Sequence, residues 1–243
     1  MSASNSILIA DAGNTSVKWT WFLAGQVEAK WIGSIYDKPQ VCLPSVIALA
    51  SVRDSDHDQR LKSELADAFP NIVVEDIQSS AVVCGVRNAY EEPRRLGVDR
   101  WLGVVAAHNI YGGELAVMDA GTAIKADFVN AQGQHLGGYI APGVELMVDS
   151  LVARTAKIRF SNHELSTDSG FPTNTATAVN QGCLEMALGL VQRLCLQHPE
   201  VTWVVTGGMG ARLMEQLGVA HIVDEHLVAK GAKLVLEQQM MER

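Results

Sequence analysis

The chain has 243 residues, a formal net charge of −8 at pH 7 and 48% hydrophobic residues, enough apolar material for one large domain or two small ones and too much for a disordered segment. An acidic balance without any Lys/Arg block excludes a broad nucleic-acid surface, because affinity for a phosphate backbone needs clustered cations; an anionic ligand has to be caught locally. Cys42, Cys84, Cys183 and Cys195 show no CxxC spacing, so reduced, mostly buried cysteines in a soluble cytoplasmic protein are expected.

In chain order, residues 7–10 are apolar and β-prone, Asp11-Ala12-Gly13-Asn14-Thr15 is turn chemistry, and 16–23 resumes β-branched and aromatic residues. This predicts a hairpin with a polar tip. No basic region precedes residues 7–10 and Asp11 follows them at once, unlike the apolar core of a signal peptide. The apolar stretch 41–52 stays below the ~20 residues of a membrane helix and contains Pro44. A strand near 45–50, a helix at 59–68, a strand at 72–74 and a helix at 99–109 follow. Residues 116–118, the turn Asp119-Ala120-Gly121-Thr122 and residues 123–129 then repeat the opening hairpin. Asp11-Ala12-Gly13-Asn14-Thr15-Ser16-Val17-Lys18 and Asp119-Ala120-Gly121-Thr122-Ala123-Ile124-Lys125 match once one residue is skipped, and a duplicated unit is the economical explanation. Helices at 144–152 and 174–196, a strand at 202–205, a Thr206-Gly207-Gly208 turn and helices at 209–217 and 227–239 complete the second copy. The polar stretch 155–173, with Gly170 and Pro172 and no periodicity, is expected to be a loop, its order left open by the sequence. The pattern is mixed α/β with two similar lobes, divided at Tyr111-Gly112-Gly113 into 1–113 and 114–243.

In the first tip a carboxylate ends a strand, Gly13 permits close backbone approach, and Asn14 and Thr15 can hydrogen-bond oxygen; successive N–H groups there can cradle a phosphate. Asp11 would repel that phosphate, which suits it to holding Mg2+ through water against a nucleotide. An ordinary Asx-type tip accounts for the same residues without a ligand, but its recurrence favours two phosphate loops facing each other across a cleft. Asp99 opens the helix 99–109, where the dipole favours a carboxylate, and a plain cap is the alternative. Arg100 carries a planar fork suited to a carboxylate, or makes a surface salt bridge. Lys18 neutralises phosphate charge or is an exposed strand lysine, and its counterpart Lys125 is read as structural. No GxxxxGK[ST] loop, complete GxGxxG, HExxH or zinc-like His cluster is present, which excludes P-loop kinases and zinc hydrolases.

The paired tips resemble the actin, sugar kinase and Hsp70 superfamily. More closely, Asp11-Ala12-Gly13-Asn14-Thr15, Gly97-Val98-Asp99-Arg100, Asp119-Ala120-Gly121-Thr122-Ala123 and Gly137-Gly138-Tyr139-Ile140-Ala141-Pro142-Gly143 resemble, in order, the motifs of type III pantothenate kinases. Asn88, Tyr90, Pro93, Leu96, Asn174, Thr175, Ala178 and Thr206-Gly207-Gly208 extend the likeness over nearly the whole chain, while Ser51-Val52-Arg53-Asp54 departs from it. The resemblance implies a duplicated actin-like (ribonuclease H-like) two-lobed α/β fold with a central cleft. It implies ATP-dependent phosphorylation of pantothenate to 4'-phosphopantothenate, which opens coenzyme A biosynthesis, with Mg2+ on the ATP and a monovalent cation, K+ or NH4+.

Residue by residue, the resemblance assigns Asp99 as the base that takes the hydroxyl proton. It assigns Asp11, Ala12, Gly13, Asn14, Thr15, Ser16, Val17 and Lys18, with Thr122, to ATP; Tyr90, Gly97, Val98, Asp99, Arg100 and Thr175 to pantothenate; and Asp119 to the monovalent cation. Gly137, Gly138 and Gly143 are expected to keep a pocket wall close to substrate. A homodimer through helix 174–196 is implied, in which Thr175 of one subunit completes the acceptor site of the other; Val179, Cys183, Met186, Leu190 and Leu194 form an apolar stripe there, widened by Ala187 and Val191. Two readings compete. A non-catalytic nucleotide-binding regulator of the Bvg accessory factor type is disfavoured by retention of Asp11, Asp99, Arg100 and Thr122. Another actin-like kinase, acting on a sugar or acetate-like substrate, is disfavoured by the Gly97–Arg100 motif with Tyr90 before it.

Overall fold

The computed structural model describes residues 6–39, 43–166 and 170–243; Cys42 lies outside them. Strand β1 (Ser6–Ala12) has Leu8, Ile9 and Ala10 at 0% exposure, the burial of a strand paired on both edges and covered on both faces. On one edge β2 (Val17–Leu23) runs antiparallel, with Asp11 opposite Lys18 and Ala12 opposite Val17, and β3 (Gln26–Ile32) continues antiparallel beyond it. β3 was not predicted. Its residues alternate between half-buried and exposed, and its turn is made by Ala24 and Gly25, both at positive φ, 49° and 83°. On the other edge β4 (Val46–Ser51) pairs parallel to β1, and β5 (Val74–Ile77) parallel to β4. The five-stranded order is β3-β2-β1-β4-β5.

Helix α1 (Ser55–Ala68) connects β4 to β5 and starts earlier than the predicted 59. Asp54 caps it, its Oδ1 accepting from the His57 N–H at 3.0 Å, and Asp56 and Asp58 fill a first turn whose polarity hides the helical period. Leu61 and Leu65 of α1 join Phe69, Trp19 and Trp21 in one core cluster. A short hairpin, β6 (Val82–Val83) and β7 (Val86–Arg87), precedes α2 (Val98–Tyr111).

The second copy comprises β8 (Leu115–Ala120), β9 (Ala123–Val129), β10 (His135–Pro142), α3 (Val144–Arg154), α4 (Thr175–Gln197), β11 (Thr202–Thr206), α5 (Gly210–Gln216) and β12 (His221–Val223). Its sheet has the order β10-β9-β8-β11-β12. Third, second, first, fourth, fifth is the order in both sheets, so the repeated tips mark a repeated topology. The closing helix α6 (Leu227–Met241), expected to complete the second copy, instead packs against α2 and against β1, β4 and β5. Gly231 is the reason it can come so close, because a Cβ there would run into the Leu102 carbonyl of α2. Two compact units result, Met1–Leu115 with Phe128–Gly137 and His226–Arg243, and Ala116–Asp127 with Gly138–Glu225.

Several expectations change in detail. Of the described cysteines, all free thiols, only Cys183 is buried, whereas Cys84 sits in the β6–β7 turn and Cys195 near the end of α4, both half-buried. The buried face of α4 is Ala176, Val179, Cys183, Ala187, Val191 and Leu194, while Met186 turns outward at 67% exposure. At 3.6 residues per turn it sits roughly 80° from the centre of that face, close to a quarter-turn away. Among the described residues no helix is long and apolar enough to cross a membrane.

The α2–α6 contact yields a stability prediction. Gly231→Ala should lower the unfolding free energy by about 1–3 kcal/mol in chemical denaturation, since two helix backbones must move apart; unchanged stability would mean that the helices are not held at this distance.

Candidate active site

The first tip hangs from the end of β1. Gly13 N–H donates to the Ser16 carbonyl at 3.1 Å and closes the turn, leaving Asn14, Thr15 and Lys18 exposed, Asp11, Gly13 and Ser16 half-buried, and Ala12 and Val17 buried in the sheet. The segment that departs from the family pattern supports this loop. Val52 N–H donates to the Ala12 carbonyl at 3.1 Å, and Arg53 Nε donates to the Gly13 carbonyl at 2.6 Å. A guanidinium anchored on the loop's backbone adds positive charge beside a turn whose N–H groups already favour an anion. Sequence reasoning missed Arg53, which lies 40 positions from its partner.

Asp99 is the second residue of α2, after Gly97 at the N-cap and the buried Val98. Its Oδ1 accepts from the Arg100 N–H at 2.8 Å, so the carboxylate is turned back onto the positive end of the helix. Gly97 makes room for it, since a Cβ at 97 would lie 2.8 Å from that same Oδ1. The same Cβ would lie 3.9 Å from Val52, and Val52 is bonded to Ala12, so α2 and the first tip meet at one end of the sheet.

Arg100 is not a surface residue. It is 6% exposed, and its Nη1 donates to the Tyr90 hydroxyl at 3.0 Å with the guanidinium 5.9 Å from the ring centre. Tyr90 is in turn held on two sides. Its N–H donates to Asn88 Oδ1 at 2.9 Å, and its ring stacks on His135 at 6.4 Å between centroids and 14° between planes. His135 is fully buried and its Nδ1 accepts from the Ala89 N–H at 3.4 Å. The structure therefore brings Tyr90, Gly97, Val98, Asp99 and Arg100 together, and adds His135, which no local sequence signal announced.

The second tip carries Asp119, half-buried at the end of β8, and Thr122, exposed. Gly121 N–H donates to the Ala123 carbonyl at 3.0 Å, a turn one residue shorter than the first. Lys125, read from sequence as structural, places its Nζ 2.8 Å from Asp119 Oδ2. The glycines expected to line a pocket wall act on backbone packing. A Cβ at Gly138 would meet the Ala126 carbonyl, and one at Gly143 the Gly121 carbonyl, while Gly137 sits at φ +102°. Thr175 is exposed as the first residue of α4, whose N-cap Asn174 accepts from the Thr177 N–H at 2.8 Å; it belongs to the other compact unit from Tyr90 and Arg100.

Comparison with known proteins places this geometry. The family model for type III pantothenate kinases matches residues 7–197. A type III pantothenate kinase of a Marinomonas species is 48% identical over 240 residues, covering 99% of this chain and 98% of its own length, and one of Pseudomonas putida is 35% identical over 237 residues, covering 90% and 94%. Among solved structures, a Baf family transcriptional activator from Campylobacter jejuni superposes with a TM-score of 0.60 at 21% identity, covering 96% of this chain and 99% of that one. Component A of (R)-2-hydroxyglutaryl-CoA dehydratase from Acidaminococcus fermentans superposes at 0.51 and 15% identity, covering 99% and 100%. These structural likenesses identify the actin-like ATPase and sugar kinase fold. With the family model spanning most of the chain and relatives aligned end to end, the chain belongs to the type III pantothenate kinase family.

Proposed function

We propose that this chain transfers the γ-phosphoryl group of ATP to the primary hydroxyl of pantothenate, as a cytoplasmic kinase whose two tips, in the halves 1–113 and 114–243, hold the nucleotide's phosphates. The observation that carries the reading is the pairing, in adjacent residues at one helix start, of a half-buried carboxylate and a buried, oriented guanidinium. Asp99 has the chemistry of a general base, and Arg100 the planar fork that takes a carboxylate such as pantothenate's. In the transfer the hydroxyl oxygen bonds to the γ-phosphorus, the bond to the β,γ-bridging oxygen breaks, ADP leaves, and the hydroxyl proton passes to Asp99. Such reactions are governed by positioning and charge stabilisation more than by the base.

Asp11 to Lys18, braced by Arg53, and Thr122 supply backbone N–H groups, hydroxyls and a cation for the ATP phosphates. No group of three or more His, Cys, Asp or Glu among the described residues could form a metal cage. That fits Mg2+, which is held by one or two carboxylates, substrate phosphates and waters; Asp11 is the residue for it, and the ion would supply neutralisation of phosphate charge. The positive charge beside Asp119 is K+ or NH4+ on the family resemblance and the Lys125 ammonium on the geometry.

For the dimer, the supporting observation is apolar side chains left outside on neighbouring elements. Leu146 and Leu151 of α3 and Met186 and Leu196 of α4 are 44%, 37%, 67% and 75% exposed, and α3 packs on α4. Such a patch favours a partner, and a second copy meeting it about a two-fold axis would carry Thr175 to the partner's acceptor site.

Mass spectrometry of purified protein with ATP, Mg2+ and pantothenate should show phosphopantothenate; its absence would sink the kinase reading. Asp99→Asn should lower kcat by ~10²–10⁴-fold at unchanged melting temperature, and wild-type turnover in that variant would remove Asp99 as the base. Asp11→Ala should raise the KM for ATP far more than that for pantothenate, with Thr122→Ala acting the same way more mildly; equal loss of both affinities would place these residues elsewhere. Gly189 is exposed, and a Cβ added there would meet nothing within 4 Å, so Gly189→Trp should fold, run as a monomer in light scattering and bind pantothenate poorly while keeping ATP. A fully active wild-type monomer would refute the shared pocket.

A further inference from the structure

We infer that the Lys125 ammonium takes the place of the monovalent cation at Asp119, so that this kinase works without added K+ or NH4+. The inference rests on the reading that the second tip adjoins the nucleotide phosphates, and it concerns how that tip's carboxylate is neutralised.

Asp119 has little left to offer a metal ion. Its Oδ2 accepts from Lys125 Nζ at 2.8 Å, the length of a charge-assisted hydrogen bond, with both side chains 22% exposed. Its Oδ1 is walled by the turn after β11. Gly207, at φ +80°, approaches so closely that a Cβ there would stand 2.6 Å from Oδ1 and 2.5 Å from the Ala120 carbonyl, and Met209 N–H donates to that carbonyl at 3.0 Å. A cation entering at Asp119 would have to displace the ammonium and then sit beside it, and like charges at contact distance repel. The residues present therefore do not fit a bound monovalent cation.

They do fit a built-in one. A lysine ammonium is a compact point charge with three N–H donors, chemically an ammonium ion tethered to the chain. Its tether is the neighbouring strand of the same sheet, β9, so less side-chain freedom is lost in placing the charge than in an exposed pair of flexible side chains. The first hairpin shows the alternative outcome. There Lys18 stands opposite Asp11 in register but is exposed, whereas after the shorter second turn the corresponding lysine lies on the carboxylate.

The test uses full-length protein with all monovalent metal and ammonium ions exchanged for tetramethylammonium. Wild-type turnover of pantothenate should be the same in tetramethylammonium as in K+, and its melting temperature should not respond specifically to K+. Lys125→Thr, which removes the ammonium and leaves Asp119 exposed, should lose activity in tetramethylammonium by on the order of tenfold or more, the usual size of coupling between bound partners. K+ or NH4+ should restore that activity and raise the variant's melting temperature saturably. A wild-type rate that rises on the order of tenfold with K+ would overturn the proposal, and this comparison decides even if Lys125→Thr fails to fold. A folded Lys125→Thr that neither loses activity nor responds to K+ would overturn it as well. The melting response reads the Asp119 site directly, so it stays decisive even where pantothenate turnover is absent in every salt and the kinase reading itself fails.

Discussion

The constraint behind this molecule is that the middle strand of each five-stranded sheet cannot carry a charge until it ends. β1 and β8 are paired on both edges, and Leu8, Ile9, Ala10, Ala116 and Met118 are wholly buried. An ion at any of those positions would be desolvated without compensation. The first carboxylate along each strand therefore appears where the strand leaves the sheet, at Asp11 and at Asp119, and directly after it the backbone turns and shows N–H groups to the outside. A place where acidic side chain, backbone donors and glycine coincide is a consequence of sheet burial as much as of any ligand. It is also the place where a phosphate and its metal can be met by fixed dipoles.

The start of α2 is held by a different means. Helix α2 is buried over nearly two full turns, Trp101 to Ala107, between the sheet and α6, so the direction of its first turn is set by packing on all sides. Asp99 and Arg100 inherit that rigidity. Burying Arg100 costs solvation that only good partners offset, and Tyr90 is such a partner because Asn88 and His135 hold it in turn. A guanidinium fixed through a chain of contacts is pre-organised for a planar anion; one waving in solvent would lose side-chain entropy on binding it.

What could be read from sequence follows the range of the interaction that determines it. The two hairpin tips, the caps Asn174 and Asp54 and the long buried face of α4 rest on contacts within a few residues, and the tips and α4 were legible. β3, β10 and β12 were not, since they are outer strands with mixed exposure, and β10 contains Gly137, Gly138 and Pro142, which argue against a strand. Their pairing is decided by the neighbour strand, not by their own composition. Arg53 and His135 escaped for the same reason, acting on residues 40 and 46 positions away. The destination of α6 was hidden in a single glycine, Gly231, whose meaning depends on a helix far back in the chain.

The duplication makes one comparison within the molecule that needs no relative. Two sheets of the same order end in two tips of nearly the same sequence, yet one residue fewer in the second turn separates their behaviour. In the first, the lysine after the turn stays in solvent, where a charged ligand can reach it. In the second, the lysine reaches back to its own carboxylate, and the pair is closed from the other side by Gly207. A tip whose charges are satisfied internally is rigid and neutral, and it suits a wall; a tip with an exposed lysine and a backbone braced by Arg53 suits the capture of an anion. An ancestral symmetric pair of loops can thus be specialised without changing the fold, by the length of a turn and the reach of one side chain.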